Sequence, residues 1–350
     1  MAKLDSAEVP VDKVAETARS FWIEKLLALS ALALGIFLVV CHWFQFDALA
    51  AVTLVPPWGW LILVLLIIAV GYRGLTRPTL LAIGVVWILF TALFVEEARS
   101  MFRFTQQTVA RDDSNNVRIV TLNCNIGSHE AVLETQPFTP DIVLVQESPG
   151  KETLTELSRT IFGEQSDQLC STDASIICRG AIALIKSETG SHFHHALVTL
   201  PEGERFDVVS LRLSSPVFRL DPFSSGFWKD HLDKRLDHRR QIQEVIDHLQ
   251  TNHVTDNWIV GGDFNLPGGG GATSPMKGLL EDSFLVAGTG WGGTGTSDYP
   301  LFRVDQIWLS PNLVPKTSKA WATKNSDHRM VVVDFPKPTG PQAKTQTQSE

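Results

Sequence analysis

Two short stretches near the C-terminal end carry residue types that can break a phosphate ester. Val-Gly-Gly-Asp-Phe-Asn runs from Val260 to Asn265, and Ser-Asp-His from Ser326 to His328. An apolar run delivers Asp263 and Asn265 two positions apart. An Asp can orient and deprotonate a water, an Asn can donate hydrogen bonds to a phosphate oxygen, and a His can stabilise charge as the ester breaks. Alone, Asp-x-Asn after a strand is usually a turn. Other strand ends add Asn123 and Asn125 (Thr-Leu-Asn-Cys-Asn), Glu147 (Leu-Val-Gln-Glu-Ser), Asp305 (Val-Asp-Gln-Ile-Trp-Leu) and Asp327 beside His328. Carboxylate and amide oxygens are hard ligands suited to Mg²⁺ or Mn²⁺. Each has an ordinary reading: Glu147 as a helix cap, Asn123 and Asn125 as a turn, Asp305 as a solvated strand edge. Five polar strand ends in this order argue for one shared centre.

The elements that must position them are short and β-rich. Strands are predicted at 117–122, 141–146, 181–185, 206–213, 258–262, 304–309 and 330–335, mostly continuous apolar runs that suit strands buried on both faces. Helices are expected at 239–251, where Ile242, Val245, Ile246 and Leu249 keep helical spacing, and at 153–161. This pattern predicts a layered α/β domain of two packed sheets with helices outside, its site where strand ends converge. The cysteine spacing implies no structural zinc. Cys170 and Cys178 are either a disulfide or two free thiols.

The segments Arg-Ile-Val-Thr-Leu-Asn, Pro-Asp-Ile-Val-Leu-Val-Gln-Glu, Gly-Gly-Asp-Phe-Asn, Val-Asp-Gln-Ile and Ser-Asp-His make Val117 to Phe335 resemble the endonuclease/exonuclease/phosphatase superfamily, deoxyribonuclease I-like, and in particular its bacterial membrane-anchored members. The resemblance implies a four-layer α/β/β/α sandwich and divalent-metal hydrolysis of a phosphoester. It implies Glu147 as principal metal ligand, Asn123 supporting metal and phosphate, and Asp327 as a second carboxylate near the metal. Asn125 falls where repair nucleases carry an Asp. Asp263 is expected to activate the water and Asn265 to bind phosphate. His328 is the catalytic imidazole, held by Asp305, which would fix its tautomer and stabilise the imidazolium. A metal would neutralise charge on the phosphate and lower the pKa of its bound water.

One position departs from the pattern. Many members have a His in the middle strand, where this chain has Arg212 in Val-Val-Ser-Leu-Arg-Leu. Arg212 either clamps phosphate bidentately or makes a structural ion pair. The basic, aromatic stretch 227–240 is read as a solvated helix start rather than an anionic-surface contact. Gly268–Gly271 and Gly290–Gly295 are expected as loops. His192, His194 and His195 are read as surface residues of a loop.

The first hundred residues are of another kind. Apolar runs at 26–44, 50–70 and 80–95 approach the roughly 20 residues a bilayer span needs, and a third, shorter run leaves two spans as the alternative to three. Lys3, Lys13, Arg19 and Lys25 precede the first run, and Arg73 and Arg77 separate the second from the third. Counting basic residues puts the N-terminus in the cytoplasm and, with three spans, everything after Val95 outside a bacterial cytoplasmic membrane. The expected organisation is a cytoplasmic segment 1–25, a membrane domain 26–95, a linker 96–116, a catalytic domain 117–336 and a disordered tail 337–350. The net charge of −8 argues against a dedicated nucleic-acid coat protein. The expected activity is a membrane-anchored, metal-dependent phosphoesterase acting on a phospholipid headgroup, a nucleotide or nucleic acid. The alternative is a phosphate- or lipid-binding protein of the same fold without turnover.

Overall fold

The computed structural model describes residues 11–71, 76–103, 108–109, 115–186 and 192–338. Residues 1–10 of the expected cytoplasmic leader, Arg73, the middle of the expected linker and nearly all of the expected tail lie outside the described residues. The chain forms two compact units: residues 1–45 with 55–95, and residues 46–54 with 96–350.

The first unit is helical: α1 (Val11–Phe44), α3 (Pro57–Gly71) and α4 (Arg77–Phe94). Phe21–Phe44 and Arg77–Phe94 are each long and apolar enough to cross a membrane. Helices α1 and α4 pack closely. The Trp87 indole donates to the Ala31 carbonyl at 3.1 Å, and a Cβ on Gly35 would lie 2.8 Å from Val86 Cγ1. Small residues at such crossings let backbones approach. The second apolar run, expected as one span, is instead broken at Val55–Pro56, leaving α2 (Ala50–Leu54) separate from α3. Proline removes a helical donor and disfavours helical geometry in the residue before it, so Pro56-Pro57 ends one helix and starts another.

The second unit is an α/β/β/α sandwich. After α5 (Glu96–Ser100), the elements are β1 (Asn116–Asn123), α6 (His129–Leu133), β2 (Ile142–Gln146), α7 (Lys151–Phe162), β3 (Ser166–Leu169), β4 (Ala174–Arg179), β5 (Ala181–Lys186), β6 (Phe193–Thr199), β7 (Arg205–Arg212), α8 (Ser225–Asn252), β8 (Trp258–Asp263), β9 (Glu281–Asp282), α9 (Ser283–Ala287), β10 (Asp305–Leu309), β11 (Thr317–Trp321) and β12 (Met330–Pro336). One sheet runs β11-β12-β1-β2-β4-β3 and the other β5-β6-β7-β8-β10-β9. Each has one central parallel pair, β1 with β2 and β7 with β8, made by a helical crossover. Those four strands end on the same side of their sheets, which gathers their C-terminal residues.

Three apolar clusters fill the layers. Ile119, Leu144, Val208, Ile259 and Ile307 meet between the sheets. Val209, Val260 and Phe264 face Ile242 and Ile246 of α8. Val120 and Val145 face Leu154 and Leu157 of α7. Both glycines of Val-Gly-Gly-Asp are structural. A Cβ on Gly261 would lie 2.7 Å from Leu144 Cδ1 of the other sheet. Gly262 has φ +146°, and a Cβ there would lie 1.9 Å from the Leu211 carbonyl oxygen.

Three expectations are corrected, and one of the two alternatives for Cys170 and Cys178 is selected. His194 and His195 lie on β6, not on a surface loop, and both are buried. Burial is affordable for His195 because its Nε2 pairs with Asp207 at 3.0 Å and its Nδ1 with His248 at 3.0 Å. The helix expected at 239–251 spans Ser225–Asn252, and His231, Arg235 and His238 in its first half are buried rather than solvated. Cys170 and Cys178 are free thiols. Cys178 faces the inter-sheet cluster while Cys170 packs on the α7 side, so one sheet separates them. The segment 96–116 does not begin as a linker. Glu96 accepts from Arg303 at 2.9 Å, and Arg103 donates to the carbonyls of Phe284, Leu285 and Gly288.

Candidate active site

Strand ends deliver the site. Asn123 closes β1 and Glu147 follows β2. Arg212 ends β7, Asp263 ends β8, Asp305 opens β10, and His328 stands just before β12. The turns holding these groups use left-handed backbone at Asn125, Ile126, Glu147 and Asn265, with φ between 49° and 52°. Such non-glycine positions each cost of the order of 1–3 kcal/mol and persist where surrounding structure imposes them.

Asn123 joins the two halves. Its amide donates to Glu147 Oε1 at 3.1 Å and to Asp263 Oδ2 at 3.1 Å, while its carbonyl oxygen accepts from the Asn125 N–H at 3.0 Å. Glu147 Oε2 accepts from the Ile126 N–H at 2.9 Å. Arg212 donates to Glu147 Oε1 at 2.7 Å and to Asp173 at 3.3 Å. Of the two roles expected for Arg212, the ion pair is the one the structure contains. Burial works against ionisation of Glu147, but the Ile126 N–H, the Asn123 amide and Arg212 together hold its carboxyl below the usual range.

Asp263 accepts from the Asn265 N–H at 2.9 Å and from its amide at 3.1 Å. The same amide donates to the Leu213 carbonyl at 2.9 Å. An amide nitrogen carries two protons, so both are committed, and the expected phosphate contact requires release of one. Burial and the neighbouring Asp305 charge push Asp263 up to about 7. His328 Nδ1 lies 2.8 Å from Asp305 Oδ2. Burial opposes charge on that ring, yet the Asp305 carboxylate outweighs it and pushes His328 up to about 10. Thr294 Oγ1 accepts from the Asp305 N–H at 3.0 Å, and the Ser326 hydroxyl donates to the main-chain carbonyl oxygen of Asn123 at 2.6 Å, tying the His328 turn to β1.

The structure thus brings together Asn123, Glu147, Arg212, Asp263, Asn265, Asp305 and His328. Asn125 and Asp327 stand exposed at the rim; Asp327 reaches the group through its charge on His328. An open depression of about 480 Å³, lined by Ile126, Glu147, Thr153, Asp173 and Arg212 among others, lies beside Glu147. Asp173 and Thr294 carried no signal in the sequence, since each works through a partner more than ten positions away.

Two groupings could take a cation. Ligand atoms of Asp263, Asp305 and His328 lie within 4.8 Å of one another, and buried Asp305 Oδ1 has no hydrogen-bond partner. Glu147, with the Asn123 carbonyl oxygen, is the other. In the first, His328 Nδ1 and Asp305 Oδ2 are committed to each other. In the second, the Glu147 oxygens accept from Asn123, Arg212 and Ile126, and Asn123 Oδ1 accepts from Asn125, so a cation at either grouping would displace hydrogen bonds.

The chain belongs to the Endonuclease/Exonuclease/phosphatase family, whose sequence profile matches residues 120–328. Among solved structures it is similar to an endonuclease/exonuclease/phosphatase from Bacteroides vulgatus, with 15% identity and a TM-score of 0.50, covering 64% of this chain and 100% of that one. It is also similar to beta toxin from Staphylococcus aureus (14% identity, TM-score 0.47, 62% and 99% covered). A mannosyl-6-phosphatase from Bacteroides thetaiotaomicron is another similar structure (14% identity, TM-score 0.47, 63% and 99% covered). At these identities the likeness is one of fold. No protein of curated function matches the chain in sequence. Family and site together support a phosphoester hydrolase, and the family is generally dependent on a divalent metal.

Proposed function

We propose that this chain is a membrane-anchored, divalent-metal-dependent phosphoesterase that hydrolyses a P–O ester by water attack. The observation that carries the reading is the convergence of Glu147, Asn123, Asp263, Asn265 and the Asp305–His328 pair from separate strand ends. Glu147 and the Asn123 carbonyl oxygen fit a hard cation by donor chemistry, with Asp327 and Asn125 at the rim. Bound there, Mg²⁺ or Mn²⁺ would supply charge neutralisation at the phosphate and a more acidic water. Asp263, fixed by Asn123 and Asn265, is placed to accept the water's proton. His328, its Nδ1 turned to Asp305, presents a protonated Nε2 that can donate to an ester oxygen. Arg212 can move from Glu147 onto phosphate, exchanging one anion for another.

Membrane anchoring rests on the apolar helices, and their number is favoured by a parity argument. Asp47 pairs with Arg239 of α8 through both guanidinium nitrogens, at 2.9 and 2.5 Å. Residues 46–54 and 96–350 therefore share one side of any membrane. An even number of crossings must separate them, so α3 and α4 both cross or neither does. With Phe21–Phe44 crossing first, three spans and a cytoplasmic N-terminus place the catalytic unit outside the bacterial inner membrane. A reporter fused after Phe335 should be active only in its extracytoplasmic form.

The chemical test uses the full chain and bis-p-nitrophenyl phosphate. A chelator should abolish turnover, Mg²⁺ or Mn²⁺ should restore it, and Asp263→Ala and His328→Ala should eliminate it. A folded, metal-binding chain without turnover would favour the second reading, a phosphate-binding protein in which the Arg212–Glu147 ion pair has replaced chemistry.

A further inference from the structure

The loop between β7 and α8 exposes three large apolar side chains in six residues. Phe218, Leu220 and Phe223 are 88%, 99% and 103% exposed. The polar groups of the same loop pair with one another and with the start of α8, at the surface. Arg219 pairs with Asp221 and with Asp230 of α8, and the Trp228 indole donates to the Pro222 carbonyl at 2.9 Å. The loop is thereby held in a shape that points apolar groups at whatever lies outside. It starts at the site: Arg212 and Leu213 precede it, and the Leu213 carbonyl accepts from Asn265. Two further exposed apolar side chains come from segments hydrogen-bonded to the site. Ile126 follows Asn125 and donates its N–H to Glu147. Tyr299 sits two residues after Ser297, which donates its N–H to the Asp327 carbonyl.

What covers this rim is indicated by its base. Pro216 and Val217 share a small cavity with Ala50, Thr53 and Leu54, lined also by Lys234 and Arg235. Arg235 donates to the Phe46 carbonyl and to the Thr53 hydroxyl. Leu54 lies three residues before α3, the most uniformly apolar helix of the chain. The exposed loop therefore continues from the point where the polypeptide passes into its apolar helices. An aromatic and aliphatic tip suits the headgroup–acyl boundary of a bilayer.

We propose that the 214–223 loop inserts into the lipid surface and seats the catalytic mouth on it, so that the ester hydrolysed belongs to a lipid headgroup. The substrate half of this inference rests on the phosphoesterase reading; the insertion half does not.

The full chain is reconstituted into nanodiscs of phosphatidylethanolamine and phosphatidylglycerol, with a polarity-sensitive fluorophore on Leu220→Cys. A reference label goes on Glu202→Cys, in the turn at the far end of β6 and β7. Labelled wild-type chain sets the background of the native cysteines. The Leu220 label should be quenched by nitroxide-bearing lipid and shielded from an aqueous quencher, and the Glu202 label the reverse. Equal aqueous quenching at both positions overturns insertion. Protection from both quenchers at Leu220, as a protein partner or a second copy would give, overturns it too. The triple variant Phe218→Ser, Leu220→Ser, Phe223→Ser should lower release of phosphate esters from the disc lipids by on the order of tenfold or more, since burying one such side chain outweighs a factor of ten. Its hydrolysis of bis-p-nitrophenyl phosphate should be unchanged. Equal losses on both substrates, or no release from the wild type, overturn the headgroup assignment. A wild type inactive on the soluble ester refutes the phosphoesterase reading, while the labels still decide insertion.

Discussion

Replacing Asp305 with Asn should turn His328 from an imidazolium into a neutral ring at neutral pH. Asn keeps the shape of a side chain that is wholly buried and removes its charge. In the native site burial pulls the ring's pKa down, and the carboxylate 2.8 Å from Nδ1 more than reverses this, to about 10. With that carboxylate neutralised, burial is opposed only by the Asp263 and Asp327 charges, and the ring should fall towards its ordinary value of about 6.5. At that value about one ring in ten carries the proton at about pH 7.5, a loss of about tenfold from protonation alone. Loss of the tautomer and orientation that the carboxylate enforces adds to this, for a total of roughly 10²- to 10⁴-fold. Initial rates on bis-p-nitrophenyl phosphate, at saturating Mg²⁺ and from about pH 5.5 to 8.5, measure both parts. Above the Asp263 value of about 7 the native rate should be flat, because His328 stays protonated, while the variant's rate should fall with rising pH; below it both fall as Asp263 gains its proton. Thermal unfolding and Mg²⁺ binding check that the fold and metal site survive. A variant within about threefold of the native rate across that range would refute the pair as the source of catalytic protonation.

The remaining predictions concern the metal, the acid limb and a buried ion triad. Glu147→Gln should raise the Mg²⁺ or Mn²⁺ concentration needed for half-maximal activity by on the order of a hundredfold, read from metal titrations of turnover; an unchanged requirement would place the cation at Asp263, Asp305 and His328 instead. Asp207 is held below the usual carboxylate range: burial opposes its ionisation, but His195, the N–H groups of Val254 and Thr255 and the Thr255 hydroxyl outweigh it. A lowered folded value means stability fully present above the unfolded pKa of about 4 and lost as pH falls through the folded one. Asp207→Asn should therefore be less stable at neutral pH and flatter below about pH 4 in chemical denaturation. Arg303 is buried between Asp282 at 2.7 Å and Glu96 at 2.9 Å. Arg303→Leu should strand both carboxylates and cost about 3–5 kcal/mol, a fall in Tm of roughly 6–20 °C; a loss under about 1 kcal/mol would show that Leu packing compensates.

Much of the fold was legible because central strands buried on both faces read as unbroken apolar runs. Ile142–Gln146 and Trp258–Asp263 announced themselves this way, and their polar ends pointed to the site. The edge strand Ser166–Leu169 did not, since its Ser-Asp-Gln-Leu has no apolar alternation. The β6 histidines misled for a related reason. Phe-His-His-Ala offers no period that separates a strand from a loop, and the partners that make burial tolerable, Asp207 and His248, lie 12 and 53 positions away. The chemistry of each site residue was readable from its type. Its occupancy was not: nothing local says that both Asn265 amide protons are spent, or that Arg212 already holds Glu147.

The same limit applies to the membrane region, where a single long-range pair does what hydropathy cannot. Apolar runs gave a count of two or three spans because the run at 80–95 is short; in the structure the question moves to Pro57–Gly71, which is 15 residues long, about 22 Å of helix against a hydrocarbon core near 30 Å. Length alone would demote it to a re-entrant segment. Asp47 and Arg239 are 192 positions apart, yet their contact forces residues 46–54 onto the side of the catalytic unit. A re-entrant α3 would leave α4 as the one crossing between them and would pull that ion pair apart across the bilayer. On the three-span proposal α4 crosses, as its length allows, and keeping the pair then needs α3 to cross with it, with some local thinning of the bilayer at fractions of a kcal/mol per Å of mismatch; with neither helix crossing, the pair is kept as well. Asp47 and Arg239 are each about a third exposed, so their pair contributes little energy by itself. The contact most costly to lose is that of buried Arg235, which donates to the Phe46 carbonyl and the Thr53 hydroxyl on the same segment.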